Sequence, residues 1–206
     1  MRSIHDFLVL ILALTCSLRV AAQCPLEWVS GGPQRDLTGL GRCSTLWDPD
    51  GAGPLPQRLV IGGALLAAAD AQDQRVMTWD GAQWEALGPG PGTSGSVRVL
   101  AVWNGSLVAA GDFYGGGLSH IARWDGSSWQ PLGPGLTTGI FALTVWNGNL
   151  VAAGWTGTVP TATAYLRAWN GTAWSTIPGP QTLQRPLSLA SYQGFLCVGG
   201  YGANDV

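Results

Sequence analysis

A hexapeptide of two tryptophans around an acidic or amide residue and a glycine recurs at a fixed distance along this chain. Trp79-Asp80-Gly81-Ala82-Gln83-Trp84, Trp124-Asp125-Gly126-Ser127-Ser128-Trp129 and Trp169-Asn170-Gly171-Thr172-Ala173-Trp174 follow one another in steps of 45 residues. A second marker, an apolar run closed by glycine, keeps the same rhythm. It reads Leu59-Val60-Ile61-Gly62-Gly63, Leu107-Val108-Ala109-Ala110-Gly111, Leu150-Val151-Ala152-Ala153-Gly154 and Leu196-Cys197-Val198-Gly199-Gly200. A third, Val102-Trp103-Asn104-Gly105 and Val145-Trp146-Asn147-Gly148, has a weaker echo at Tyr192-Gln193-Gly194. Of 11 tryptophans only Trp155 falls outside the repeat. Such self-similarity confines the chain to an array of one supersecondary unit, in which neighbours bury each other's faces.

The unit itself is made of strands. No repeat carries an apolar 3.6-residue pattern, whereas Asn-Gly and Asp-Gly stand between short apolar runs, as hairpin turns require. In the second unit this places strands near 97–103, 106–111, 120–125 and 128–133, with hairpins at Asn104-Gly105 and Asp125-Gly126. The two tryptophans of each hexapeptide then share a sheet face, whether the loop between them holds two residues or four, and serve packing between units. The expected fold is therefore all-β, a β-propeller of four-stranded antiparallel blades. Its expected blades cover 42–88, 96–133 and 139–178, with a half blade at 186–206. An outer strand near 27–33, Glu27-Trp28-Val29-Ser30-Gly31-Gly32-Pro33, resembles the last strand of each unit. Trp28, Trp79, Trp84, Trp124, Trp129, Trp169 and Trp174, with Gly63, Gly111, Gly154 and Gly200, are the structural repeat positions. About three and a half blades is fewer than the four to eight with which propellers close. The expectation is an incomplete propeller, an excised fragment or partial coding sequence, against the alternative of a small degenerate four-bladed ring lacking one strand.

Stacked sheets leave little surface for charge, and only 11% of residues are charged where an average domain has about 25%. The ten basic residues are all arginine and form no stripe, which excludes nucleic-acid binding on electrostatic grounds. Residues 1–22 read as a signal peptide: Phe7 to Leu18 is a largely apolar run too short to span a bilayer, and Val20-Ala21-Ala22 offers a cleavage site before Gln23. The expected location is secreted or extracytoplasmic, in the periplasm or at the cell surface, with no membrane span after cleavage. Thr15 before Cys16 argues against lipid attachment. Three cysteines remain after cleavage. Cys24 and Cys43 are the candidate disulfide, near the mature N-terminus, and Cys197, inside an apolar stretch, reads as a buried small hydrophobe.

The glycine doublet after an apolar strand, followed by an aromatic-Asp/Asn-Gly turn and a tryptophan, resembles the kelch-like, galactose-oxidase-type propellers. It resembles still more closely the secreted bacterial proteins built from WDG-containing repeats. The resemblance covers nearly all of 24–206, though the doublet becomes Ala110-Gly111 and Ala153-Gly154 in the middle units. What it implies is extracellular display or binding.

The residues themselves offer no catalytic set. One histidine, His120, survives cleavage, so a copper centre with two histidine ligands is excluded within this chain, and no cofactor or metal is expected. Glu27 and Glu85 lie beside repeat tryptophans, and Asp80 and Asp125 occupy turns where Asn170 replaces them. Asp48-Pro49-Asp50-Gly51 begins like a calcium loop but lacks the distal glutamate, and reads as an extended hairpin loop. The candidate ligand-binding residues are Asp112, Phe113, Tyr114, Trp155 and Tyr201, expected in loops after the glycine marker. They differ in type while the strands repeat, as a recognition face would, or else they plug the mouth of a channel. The leading reading is a non-catalytic extracellular module that binds carbohydrate or an extracellular protein, or is structural. The rivals are a fragment of a secreted propeller enzyme, glycosidase or oxidase-like, whose catalytic residues lie outside this chain, and a remnant without a stable fold.

Overall fold

Apolar runs bounded by glycine, proline and asparagine become strands throughout the computed structural model, which describes residues 37–67, 73–158, 161–179 and 182–202. No helix occurs among them. The first sheet holds β1 (Leu37–Trp47), β2 (Arg58–Ala67), β3 (Asp73–Trp79) and β4 (Trp84–Ala86). The second holds β5 (Val97–Trp103), β6 (Ser106–Gly115), β7 (Leu118–Trp124) and β8 (Trp129–Pro131). The third holds β9 (Ile140–Trp146), β10 (Asn149–Thr156), β11 (Thr163–Trp169) and β12 (Trp174–Thr176). A two-stranded fourth follows, β13 (Leu183–Tyr192) and β14 (Phe195–Gly202). Every sheet is an antiparallel meander in chain order. These strands all belong to the unit Gln34–Val206. The leader expected at 1–22, Cys24 and the outer strand expected around Trp28 lie outside the described residues.

Two kinds of turn recur, both in the second and third sheets, the hexapeptide loop without the other in the first, and the two-residue turn alone in the fourth. Asn104-Gly105, Asn147-Gly148 and Gln193-Gly194 have left-handed φ at both residues, 49° and 77°, 49° and 78°, 48° and 81°, the two-residue turn that matches strand twist. The tryptophan hexapeptides take the longer of the two loop lengths open to them. Trp79 pairs directly with Trp84, Trp124 with Trp129 and Trp169 with Trp174, so each loop holds four residues, and only its glycine has positive φ. The acidic or amide side chain closes this loop: Asp80 Oδ1 accepts from the amides of Ala82 and Gln83 at 2.7 and 2.8 Å. Asp125 does the same with Ser127 and Ser128, and Asn170 with Thr172 and Ala173. Those amides hold the Asp80 and Asp125 carboxyls well below the usual carboxylate range.

The glycine marker has a steric cause. A Cβ on Gly63, Gly111, Gly154 or Gly200 would overlap the carbonyl oxygen of Leu40, Ser96, Gly139 or Arg185, each in or just before the first strand of its sheet. Beside each contact the first strand carries one extra residue, Arg42, Arg98, Phe141 and Leu187 in turn, a β-bulge repeated four times. The preceding position has no such restriction in the middle sheets, where alanine stands at Ala110 and Ala153.

Tryptophans join one sheet to the next. Nε1 of Trp47, Trp103 and Trp146 donates to the carbonyls of Gly105, Gly148 and Gly194 at 3.0, 2.9 and 2.8 Å, each in the next sheet's turn. Nε1 of Trp129 and Trp174 donates backward to Leu87 and Leu132 at 2.9 and 3.0 Å. The paired rings tilt against one another at 5.2 to 5.4 Å between centroids. Between sheets, fully buried aliphatic side chains pack with Phe113 and the repeat tryptophans. Val60, Val76, Val97 and Leu107 meet between the first and second, Val108, Ile121, Ile140 and Leu150 between the second and third.

The fourth sheet breaks the pattern. Tyr192 and Phe195 are 64% and 71% exposed, and Cys197, expected to be buried, is exposed too. Its neighbours are as apolar as those in β6 and β10, but among the described residues no further sheet covers that face. Cys43 carries a free thiol that donates to the Gly62 carbonyl at 3.6 Å, and burial pushes it up to about 12.

Candidate functional site

All five of the expected ligand-binding residues lie in strands, not in the loops assigned to them, Phe113 and Tyr114 among them in β6. Asp112 belongs to β6, Trp155 to β10 and Tyr201 to β14, because each second strand runs on past its marker glycine. In the second sheet β6 reaches Gly115, and the left-handed Gly116-Gly117 pair turns the chain into β7. Asp112, Trp155 and Tyr201 come together in one row with side chains from the first strands. Asp112 accepts from the amide and hydroxyl of Ser96 and from Arg98 Nη2, all at 2.8 Å. Arg98 lies over the Phe141 ring at 4.7 Å, and Phe141 stacks on Trp155 with centroids 3.8 Å apart and planes at 18°. Arg185 then lies 4.8 Å from the Trp155 ring and 5.3 Å from that of Tyr201. The row crosses the second, third and fourth sheets without a break.

Partial burial raises the Asp112 carboxyl, but the two Ser96 donors and Arg98 together hold it below its ordinary value. It is therefore a structural anion, already engaged. Phe113 is a correction: it is fully buried in the core, since neighbours along a strand face opposite sides, and Asp112 takes the outward side. Tyr114 is 57% exposed, its backbone held by Ser94 and Ser119, and it shares none of the row's ring contacts among the described residues. Trp155 is mostly buried, its ring in contact with Phe141 and Arg185, so open aromatic surface in the row falls to Tyr201 at 46% exposure.

His120 was expected to precede a strand and lies inside β7 with φ of 60°, opposite the irregular pairing between Ala110 and Tyr114. The Asp48–Asp50 segment closes on itself. Asp50 Oδ2 accepts from the Leu55 amide at 3.1 Å, and Asp48 Oδ1 from the Asp50 amide at 3.3 Å. At this opposite end of the sheets a cavity of about 470 Å³ opens under that loop, with Trp47, Trp124, Arg58 and Arg123 in its walls.

Arg98, Phe141 and Arg185 are the residues that sequence reasoning missed. Their signal was present: Arg98 and Phe141 are the bulge residues of their strands, and Arg185 supplies the carbonyl against Gly200. Strand positions that differ between otherwise matching units mark a surface the repeat does not need. No known protein-family model matches the chain, and no curated protein matches it as a relative.

Proposed function

We propose that this chain is a propeller-type recognition module, non-catalytic and working outside the cytoplasm, that binds carbohydrate along the row ending at Tyr201. The observation that supports the reading is the contrast in variability. After the marker glycine the sheets present Ala64, Asp112, Trp155 and Tyr201, while the scaffold around those positions repeats. A rigid frame that carries differing polar and aromatic groups at equivalent points is how binding surfaces are commonly built. Aromatic rings accept the CH faces of sugars and the adjoining guanidinium groups donate to hydroxyls. No paired carboxylates at glycosidase separation and no activated nucleophile occur among the row's residues, which favours binding over turnover.

A glycan array probed with the purified chain tests this. Retention of a defined set of glycans, lost in Tyr201→Ala and Trp155→Ala but kept in Tyr192→Ala at the other end of the same sheet, is the expected result. Retention of no glycan, or equal loss in all three variants, would overturn it, and a protein ligand found in its place would reassign the face.

A further inference from the structure

Within that carbohydrate-binding reading, on which this rests, we propose that Arg185 is an anion-recognition group and that the ligand is an acidic sugar held through its carboxylate. The guanidinium is immobilised by its contacts with Trp155 and Tyr201, at 4.8 and 5.3 Å from their ring centroids. Stacking occupies the faces of a guanidinium, and its N–H donors all point outward in the plane. Ring contacts therefore leave the donor edge available.

What that edge lacks is an acceptor. Arg98, in the same row, gives Nη2 to Asp112 Oδ2 at 2.8 Å, and Arg58 at the far end of the sheets gives Nη1 to Glu85 Oε2 at 3.0 Å. Arg185 has no such ion pair among the described residues, and its Nε, like that of Arg58 and Arg98, is buried with no hydrogen-bond partner. The position after the glycine that supplies a carboxylate to the second sheet supplies the Tyr201 ring to the fourth. In the second sheet Ser96 stands at the position of Arg185 and faces that carboxylate; in the fourth Arg185 faces a ring in its place. A cation with reduced access to water, fixed in orientation and without internal compensation, interacts with an incoming oxyanion more strongly than a mobile surface arginine does. The planar, two-oxygen carboxylate fits the guanidinium fork in the bidentate manner. The exposed part of the Tyr201 ring lies beside it for the apolar face of a pyranose.

Calorimetric titration of the purified chain with trigalacturonate, the matching neutral galactotriose and a sulfated galactotriose separates this from the broader reading. The expected result is binding of the carboxylated trimer at least tenfold tighter than the neutral one, a preference weakened by salt. Arg185→Gln removes that preference, lowering affinity for the acidic trimer far more than for the neutral one, whereas Arg98→Gln keeps it. Arg185→Lys, which keeps the charge but not the fork, restores only part, and it decides the matter if the glutamine variant does not fold. Equal affinity for acidic and neutral trimers, or a preference that survives Arg185→Gln, overturns the role of Arg185 while the carbohydrate reading stands. Stronger binding of the sulfated trimer overturns the carboxylate assignment. Failure of all three trimers to bind, with no glycan retained on the array, overturns both readings together.

Discussion

At the turn end of the sheets, Trp47, Trp103 and Trp146 each donate to the glycine carbonyl of the following unit's turn, three copies of one bond. At the other end, three sheets contribute an aspartate with an arginine, a phenylalanine with a tryptophan, and an arginine with a tyrosine to a single row. The first end is constrained because each bond is also the junction between units, so a change there breaks the array. The second lies beyond the junction, at the mouth of the packed strands. Side chains there need only satisfy one another and the solvent. Repetition marks what holds the sheets together, and departure from it marks what the packing leaves free to vary.

That contrast can be broken most sharply at the marker glycines. Gly154→Ala drives a methyl into the Gly139 carbonyl, and a loss of about 3 kcal/mol or failure to fold is expected. Ala153→Gly, one position earlier, should cost about 1 kcal/mol. Chemical denaturation of both variants measures the pair, and equal losses would remove the steric account of the marker. Next come the junction bonds. Trp129→Phe leaves the Leu87 carbonyl without its donor and is expected to destabilise by about 1 to 2 kcal/mol. Trp155→Phe in the row, whose indole N–H bonds to no group among the described residues, should change stability by less than about 0.5 kcal/mol.

The row's one ion pair sets a smaller effect with a definite pH dependence. Asp112→Asn should cost about 1 kcal/mol near neutrality, since both partners are partly exposed to solvent. The Asp112 carboxyl is held below its unfolded value. Its stabilising contribution is therefore complete above about pH 5 and is lost as the pH falls through and below about 4. Thermal melts between neutral and acid pH should show a slope that the Asn variant partly flattens; a steeper slope would contradict the assignment. The smallest effect belongs to the loop aspartates. Asp125→Asn should leave the melt unchanged, because Asn170 already accepts the same two amide hydrogens in the third unit. Asp125→Ala should lower the melting temperature measurably.

Much of the sheet architecture was legible because its causes are local and repeat. Hexapeptides spaced by 45 residues placed the cross-strand pairs Trp124–Trp129 and Trp169–Trp174, and Asn-Gly marked the left-handed turns at 104–105 and 147–148. Other features were not legible. The choice of a four-residue over a two-residue loop in the hexapeptide was left open, because it rests on the aspartate side chain, and not a second left-handed residue, supplying the closure. The extension of β6 to Gly115 depended on pairing with Leu118, which a glycine-rich run disguises as loop. Of the candidate site, Asp112, Trp155 and Tyr201 were read correctly as equivalent positions. The burial of Phe113 follows from strand alternation once the segment is known to be a strand.

Sequence alone determined the unit, its period and the residues that cannot change, because a hydrogen bond across a two-residue turn or a missing Cβ acts over a few neighbouring positions. Only the tertiary structure decided which differing residues meet. Arg98, Phe141, Trp155, Arg185 and Tyr201 span more than a hundred positions in the chain, and no periodicity joins them. They form one row because bulged first strands from adjacent sheets pack side by side, and that packing brings distant side chains within van der Waals reach.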